Sequence, residues 1–197
     1  MKRHLLIPIA ILSAALALNA EKEAPHPVPP AQADLPEESI YALDSTWQDQ
    51  NGKALKWSES AGTPRVVALG YATCKGICPR IIADMQRIEK ELAPESKARF
   101  TFITLDPESD DQAALKTLAD NHKLSERWDV LRSEEDALLE MAVILGVRFD
   151  RLPNGVDFAH SYLIATIAPD GRIVHKWIDS QEGPEASVKA LKAAEKP

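Results

Sequence analysis

The stretch GYATCKGICPRIIADM, residues 70–85, contains the only two cysteines of the 197-residue chain, Cys74 and Cys78. It overlaps the end of an apolar, β-branched run at residues 64–72, which predicts a buried strand. Pro79 suits the first turn of a helix, and apolar residues then recur at helical spacing until shortly before Pro94. The cysteines are therefore expected where a buried strand passes into a helix.

Cysteines at the start of a helix are in a favourable place to ionise. Backbone N–H groups there stabilise a negative charge by about 0.3 to 1 kcal/mol at exposed sites. The thiol pKa, about 8.5 in a free cysteine, should therefore fall. Lys75 acts in the same direction, and Gly76 allows the loop to turn tightly enough to bring both sulfurs to one place.

Two neighbouring thiolates leave three functions open: a structural disulfide, a redox dithiol and a site for a soft metal ion. A disulfide that closes so short a loop removes little chain entropy. A thioredoxin-type redox pair normally has the spacing Cys-x-x-Cys, one residue shorter than here. Two thiolates suit Cu(I) if a third ligand completes a trigonal site, but they are too few for structural zinc.

The remaining apolar patterns alternate between strands and helices. Strands are predicted at residues 99–107 and 127–131, helices at 110–121, at 133–147 and from Pro184, and hairpins at 40–60, across Asn51-Gly52, and at 160–179, across Asp170-Gly171. A cysteine pair between the first core strand and the first core helix is the thioredoxin-like arrangement. The sequence thus predicts an α/β thioredoxin-like fold, a mixed central sheet flanked by helices, with an N-terminal β-hairpin.

Two of these helices carry predicted caps. Ser109 or Asp110 is placed to cap the second core helix. Ser133, three residues before Asp136, resembles the start of a capping box for the third. Asp106 and Asp110 are accordingly assigned to a turn and a helix cap, and not to a metal site.

Residues 1–20 have the layout of a secretory signal: two basic residues, an apolar stretch at 5–18, and then small residues. The small residues predict signal-peptide cleavage after Ala17 or after Ala20. The apolar stretch is shorter than the roughly 17 to 25 residues that a membrane span needs, but an uncleaved N-terminal anchor stays open. No cysteine follows the stretch, which excludes a lipoprotein anchor.

Residues 21–39 contain five prolines between Pro25 and Pro36 and predict a stiff, solvated tether. The thioredoxin-like domain is expected to occupy residues 40–197. An exported domain of this kind would lie in the periplasm or on the outer face of the cytoplasmic membrane. The net charge of -7, with no basic run longer than two residues, disfavours nucleic acid as a partner.

A third metal ligand would have to come from elsewhere in the chain, and histidine is the obvious candidate. Four histidines have peripheral or structural assignments: His4 in the leader, His26 in the tether, His122 at a predicted helix end and His175 on an alternating strand. His160 stands where the loop at residues 151–159 meets a strand. Ligands gather at strand ends in open α/β sheets, but the spacing alone leaves a structural role for His160 open as well.

Three stretches together, GYATCKGICPRIIADM, TLDPESDD and FAHSYLIATIAPDGRIV, resemble the SCO/SenC family of copper-handling thioredoxin-fold proteins. The likeness spans residues 40 to 195. It implies that Cys74, Cys78 and His160 bind a copper ion. It also implies an N-terminal signal or membrane anchor, in agreement with the leader.

The resemblance implies delivery of copper, or reduction of thiols, during assembly of the dinuclear copper centre of cytochrome c oxidase. The partners would be the copper-bearing oxidase subunit, other copper donors or acceptors, and thiol-disulfide reductants. The alternative is a thiol-disulfide oxidoreductase of the cell envelope, with Cys74 as the attacking thiolate and Cys78 as the resolving one. A module with an inert disulfide is the third interpretation.

Overall fold

The computed structural model describes residues 35–178 and 183–195. Its elements are β1 (Thr46–Gln48), β2 (Ala54–Lys56), β3 (Arg65–Gly70), α1 (Cys78–Glu91), β4 (Arg99–Thr104), α2 (Gln112–Asn121), β5 (Trp128–Leu131), α3 (Glu135–Leu145), β6 (Phe149–Arg151), β7 (Phe158–His160), β8 (Ile164–Ile167), β9 (Ile173–Trp177) and α4 (Glu185–Ala194), with short 3-10 helices at Ile40–Ala42 and Trp57–Ser60. No helix within these residues is long and apolar enough to cross a membrane. The predicted leader and most of the predicted tether lie outside the described residues, and both stay predictions.

The centre of the domain is a five-stranded sheet in the order β5-β4-β3-β8-β9. β3, β4 and β5 are parallel, whereas β8 and β9 are antiparallel to their neighbours. Every residue of β3 is buried, as expected for the middle strand of a sheet covered on both faces. The predicted mixed sheet and thioredoxin-like α/β fold are confirmed.

Both faces of β3 are covered by helices, and one face is also covered by N-terminal segments. Val66 and Ala68 belong to a core shared with α1, α2 and α4. Val67 and Leu69 belong to a second core shared with α3 and both 3-10 helices. Successive side chains of a strand point to opposite faces, so the strand is held by two apolar layers. The end of β3, from which the cysteine loop departs, is therefore a fixed point.

The predicted N-terminal hairpin is present as the antiparallel pair of β1 and β2. Its loop, residues 49–53, is longer than the Asn51-Gly52 pair that predicted it. The Asp49 carboxylate accepts the backbone N–H groups of Asn51 and Lys53, both at 2.8 Å. These side-chain bonds stabilise a wider turn than an Asn-Gly pair alone would make.

A second, separate hairpin of β6 and β7 was not predicted. The sequence predicts residues 151–159 as a loop and His160 as the first residue of a strand. Instead His160 ends β7, and β8 begins only at Ile164. The turn of the hairpin contains Asn154 and Gly155, whose φ is 75°. That Asn-Gly pair was the signal that could have revealed the hairpin.

Both predicted helix caps are wrong, although the helices themselves are confirmed. α2 begins after Asp111, whose carboxylate accepts a backbone N–H of the first turn at 2.8 Å, so neither Ser109 nor Asp110 caps it. α3 begins after Glu134 without a side-chain cap. The Ser133 hydroxyl donates to the Glu134 carbonyl instead.

Candidate metal centre

The cysteine loop uses a sulfur atom where a helix usually has a capping side chain. α1 starts at Cys78, and the N-cap residue Ile77 makes no side-chain bond to the free N–H groups. The Cys74 Sγ takes that role and accepts the backbone N–H of Cys78 at 3.4 Å. Because the N–H groups at a helix start favour an anionic acceptor, this contact stabilises Cys74 as a thiolate.

The two thiols have opposite pKa shifts, so the predicted fall in the thiol pKa holds for Cys74 and is wrong for Cys78. Burial would raise the pKa of Cys74, but hydrogen bonds from the Cys78 thiol, from the backbone N–H groups of Cys78 and Gly76, and from the Tyr71 hydroxyl together hold it below its ordinary value. Burial raises the pKa of Cys78, and the neighbouring Cys74 raises it further. Without a metal, Cys74 is therefore the thiol that ionises more readily, and Cys78 is the one that holds its proton more firmly. Binding a cation to both sulfurs would therefore release a proton.

His160 faces the cysteines from the end of β7. Its Nε2 lies 3.3 Å from the Cys78 Sγ, and its Nδ1 lies 3.1 Å from the Ser161 carbonyl oxygen. A carbonyl only accepts, so Nδ1 carries the proton and the lone pair of Nε2 points at the sulfur. Burial lowers the pKa of His160, although the Ser161 contact acts the other way. The neutral imidazole that a metal requires is therefore favoured.

The ligand atoms of Cys74, Cys78 and His160 all lie within 4.8 Å of one another. Among residues 35–178 and 183–195, no other group of three His, Cys, Asp or Glu side chains comes together as a possible metal site. Two soft thiolates and one imidazole fit Cu(I), which accepts few, soft ligands in a trigonal site. The structure thus brings together the three predicted site residues.

Asp110 ties the cysteine loop to β4. Its carboxylate accepts the backbone N–H of Ala72 at 2.8 Å and the hydroxyl hydrogen of Thr104. Asp110 is buried, and this burial raises the pKa of its carboxyl group despite those two hydrogen bonds. Because the carboxylate faces into the domain, it fixes the chain two residues before Cys74 instead of capping α2.

Asp106 lies in the predicted turn, where its backbone carbonyl accepts the N–H groups of Ser109 and Asp110 at 3.2 and 2.8 Å. The turn assignment is therefore confirmed. Its carboxylate pairs with Arg151 of β6, with Nη2 2.8 Å from Oδ1. Nothing in the local sequence indicated this long-range ion pair.

The other two described histidines do not belong to the ligand cluster. His122 forms the C-cap of α2, and its carbonyl accepts a hydrogen bond from Gln86 at 2.8 Å. Burial lowers the pKa of His122, which disfavours its imidazolium form. His175 lies on β9, opposite Thr166.

The fold and the site define a class: a thioredoxin-like protein whose cysteine pair opens the first helix and meets a histidine from a neighbouring hairpin. The family model described as SCO1/SenC matches residues 36–195. The chain belongs to this family, and the resemblance found in the sequence is confirmed.

Comparisons with individual proteins agree. The chain is 28% identical over 133 residues to the SCO1 protein homolog of Bacillus subtilis, covering 66% of this chain and 69% of that protein. The structure of Bradyrhizobium japonicum ScoI with copper bound superposes at a TM-score of 0.66 and 24% identity, over 76% of this chain and 96% of that chain. BsSco, a Sco-family cytochrome c oxidase assembly protein with an identified disulfide switch, superposes at a TM-score of 0.66 and 26% identity, over 76% and 90% of the two chains.

Proposed function

We propose that this chain binds copper and delivers it, or reduces thiols, during assembly of the dinuclear copper centre of cytochrome c oxidase. The observation that carries the proposal is the convergence of two thiols and one imidazole within 4.8 Å. Family membership supports it, since one relative holds copper and another is described as an oxidase assembly protein.

Cys74 and Cys78 supply two thiolate ligands, and His160 supplies Nε2 as the third. Cys74 and His160 are half-buried, so one side of the site faces solvent. A three-coordinate Cu(I) ion can accept another thiolate from that side and leave with it. Copper is thus cargo, held by soft ligands and open to exchange with an acceptor.

The proposed partners are the copper-bearing oxidase subunit, other copper donors or acceptors, and thiol-disulfide reductants. The site would work in the periplasm or on the outer face of the cytoplasmic membrane, after export directed by residues 1–20. Membrane anchoring through residues 5–18 applies if the leader is not cleaved. Mass spectrometry of the protein from its native host tests this point: an N-terminus after Ala17 or Ala20 supports cleavage, and an intact Met1 contradicts it.

Thiol-disulfide exchange is the second candidate, favoured by the unequal exposure of the two sulfurs. The half-buried Cys74 thiolate would attack a substrate disulfide, form a mixed disulfide and release one substrate thiolate. The buried Cys78, once deprotonated, would then attack the Cys74 sulfur and release the second. The substrate is reduced, a Cys74–Cys78 disulfide forms, and an external thiol reductant restores the dithiol.

Anaerobic Cu(I) titration of the reduced protein against a competing chelator tests the copper role. His160→Ala should lower the affinity about a hundredfold, about 2.7 kcal/mol, because a two-coordinate site remains. Copper exchange needs the imidazole, whereas disulfide exchange runs through sulfur alone. Disulfide formation should therefore be nearly unchanged.

His122→Ala and His175→Ala are matched controls, because both remove a described imidazole outside the site. Neither should change the copper affinity beyond the effect of a modest stability loss. Wild-type affinity in His160→Ala would refute the three-ligand copper site. If Cys74→Ser also abolished reductase activity while His160→Ala did not, the oxidoreductase function would be favoured.

A further inference from the structure

The hairpin that carries His160 is not paired with the central sheet. Within the described residues, the ladder of β6 and β7 joins these two strands only to each other. Residues 151–156, which include the turn, are exposed. Apart from the chain connections to α3 and β8, the position of His160 relative to the cysteines is therefore set by side-chain contacts.

Arg151 makes several of these contacts at once. Its guanidinium donates to both carboxylate oxygens of Asp106, at 2.8 and 3.4 Å, and to the Gly155 carbonyl at 3.1 Å. Its Cζ lies 4.5 Å from the ring centroid of Phe158, its partner across the hairpin. Arg151 thus joins the turn of the hairpin and β7 to the end of β4.

Phe158 links Arg151 to the proposed metal ligand His160 through ring contacts. Phe158 and His160 are two positions apart on β7, so their side chains share a face. The Phe158 ring packs against Tyr71 at 5.2 Å between centroids, and Tyr71 meets the His160 ring edge-on at 6.2 Å. A shift of Arg151 would therefore move the aromatic group that supports the imidazole.

Asp106 connects the same ion pair to the cysteine loop. Its side chain is 6% exposed, and its backbone N–H donates to the Thr104 hydroxyl oxygen at 3.0 Å. Thr104 in turn donates to Asp110, which accepts the N–H of Ala72. The hairpin and the cysteine loop are thus anchored to one short segment after β4.

We propose that Arg151 and Asp106 are positioning residues that hold the His160 hairpin at ligand distance from Cys74 and Cys78. The proposal rests on the copper site proposed above, but the placement of the hairpin is a property of the metal-free protein. A bidentate, charge-assisted pair on a nearly buried carboxylate can fix such a placement. Supporting residues of this kind change metal affinity about 10- to 100-fold when removed.

The test compares Arg151→Gln with Arg148→Gln, which removes the same charge from an exposed position just before β6. Arg151→Gln should lower Cu(I) affinity about tenfold or more, with Arg148→Gln close to wild type. X-ray absorption of the copper-loaded variant should show the nitrogen ligand weakened or lost and both sulfur ligands kept. Arg151→Lys keeps the charge but not the guanidinium that donates two hydrogen bonds to the carboxylate, and it should restore part of the affinity.

The second measurement needs no copper. In the reduced, metal-free protein, proton NMR should show a nuclear Overhauser effect between the His160 and Tyr71 rings, and Arg151→Gln should weaken it. An unchanged effect in a folded Arg151→Gln protein overturns the positioning role, as does a copper affinity equal to that of Arg148→Gln. If the wild type binds no copper, the proposed function fails, and the NMR comparison still decides whether Arg151 places the hairpin.

Discussion

The cysteine segment, residues 70–91, and the β6–β7 hairpin, residues 149–160, supply ligands to one site from very different supports. The cysteine segment begins on a fully buried strand and continues into α1, where Ile81, Ile82 and Met85 are fully buried. The hairpin is mostly exposed and joins no larger sheet within the described residues. The two sulfurs are therefore held by the core, whereas the imidazole is held by a few side chains.

This difference suits the proposed function, in which the site accepts and releases copper. Regions with few buried apolar contacts open at a lower free-energy cost than the core does. Movement of the hairpin would withdraw His160 while both thiolates stay in place. Of the three ligands, His160 therefore has the weaker support.

The largest expected effect concerns the thiolates. Cys78→Ser and Cys74→Ser should each lower Cu(I) affinity at least about a thousandfold, about 4 kcal/mol, because a hydroxyl is a hard and weakly acidic ligand. The loss should exceed that of His160→Ala. Competition titration under anaerobic conditions measures both.

Ala159→Ser is the control, since it adds a hydroxyl at an exposed position beside His160. It should leave the affinity within about threefold of wild type, as ordinary surface changes do. Equal losses of Cu(I) affinity in the cysteine and histidine variants would contradict the proposed difference between the cysteine segment and the hairpin.

Rigidity of the cysteine segment is tested at Gly70. A Cβ atom there would overlap the Phe102 ring and lie 2.7 Å from the Cys78 Sγ. Gly70→Ala should therefore lower the free energy of unfolding by about 1 to 3 kcal/mol, the usual cost of overpacking a core. Gly76→Ala is the control because nothing lies within 4 Å of its Cβ position. Urea unfolding of the reduced protein measures both, and equal stabilities would contradict a rigid cysteine segment.

The smallest expected effect is a difference in pH dependence between two carboxylates. Burial raises the pKa of Asp110, which bonds to the cysteine loop. For Asp106, burial is outweighed by hydrogen bonds from Arg151 and Ser109, which hold the pKa below its usual range. The contribution of Asp110 to stability is therefore lost as the pH rises through its folded pKa, and that of Asp106 is lost as the pH falls through its own.

Unfolding at several pH values checks the two signs. Relative to wild type, Asp110→Asn should become more stable as the pH rises from the ordinary carboxyl pKa towards the raised pKa of folded Asp110, because the unfolded wild-type chain loses this proton first. Asp106→Asn should be less stable than wild type at this higher pH, and its stability should approach that of wild type in acid. Parallel pH profiles for the two variants would show that the carboxylates do not differ as the structure indicates.

Local sequence patterns were sufficient to predict the strands and helices that form the core. The buried run of β3, the helical spacing after Pro79 and the hairpin of β8 and β9 across Asp170-Gly171 are all present in the structure. One prediction failed because a side chain had distant partners. Asp110 was assigned to a helix cap, but a buried contact with Ala72 and Thr104 directs it inward.

The sequence by itself determined the strand–cysteines–helix unit and the α/β order, because apolar periodicity, Pro79 and the cysteine spacing act over a few residues. His160 became the third candidate ligand through the resemblance of three stretches of the sequence to the SCO/SenC family. The tertiary structure alone decided that His160 lies 3.3 Å from Cys78, and that Arg151 reaches Asp106 across 45 positions of the chain. Such contacts depend on how β4, β6 and β7 meet in space. No local pattern encodes that meeting, because it follows from the packing of the whole sheet.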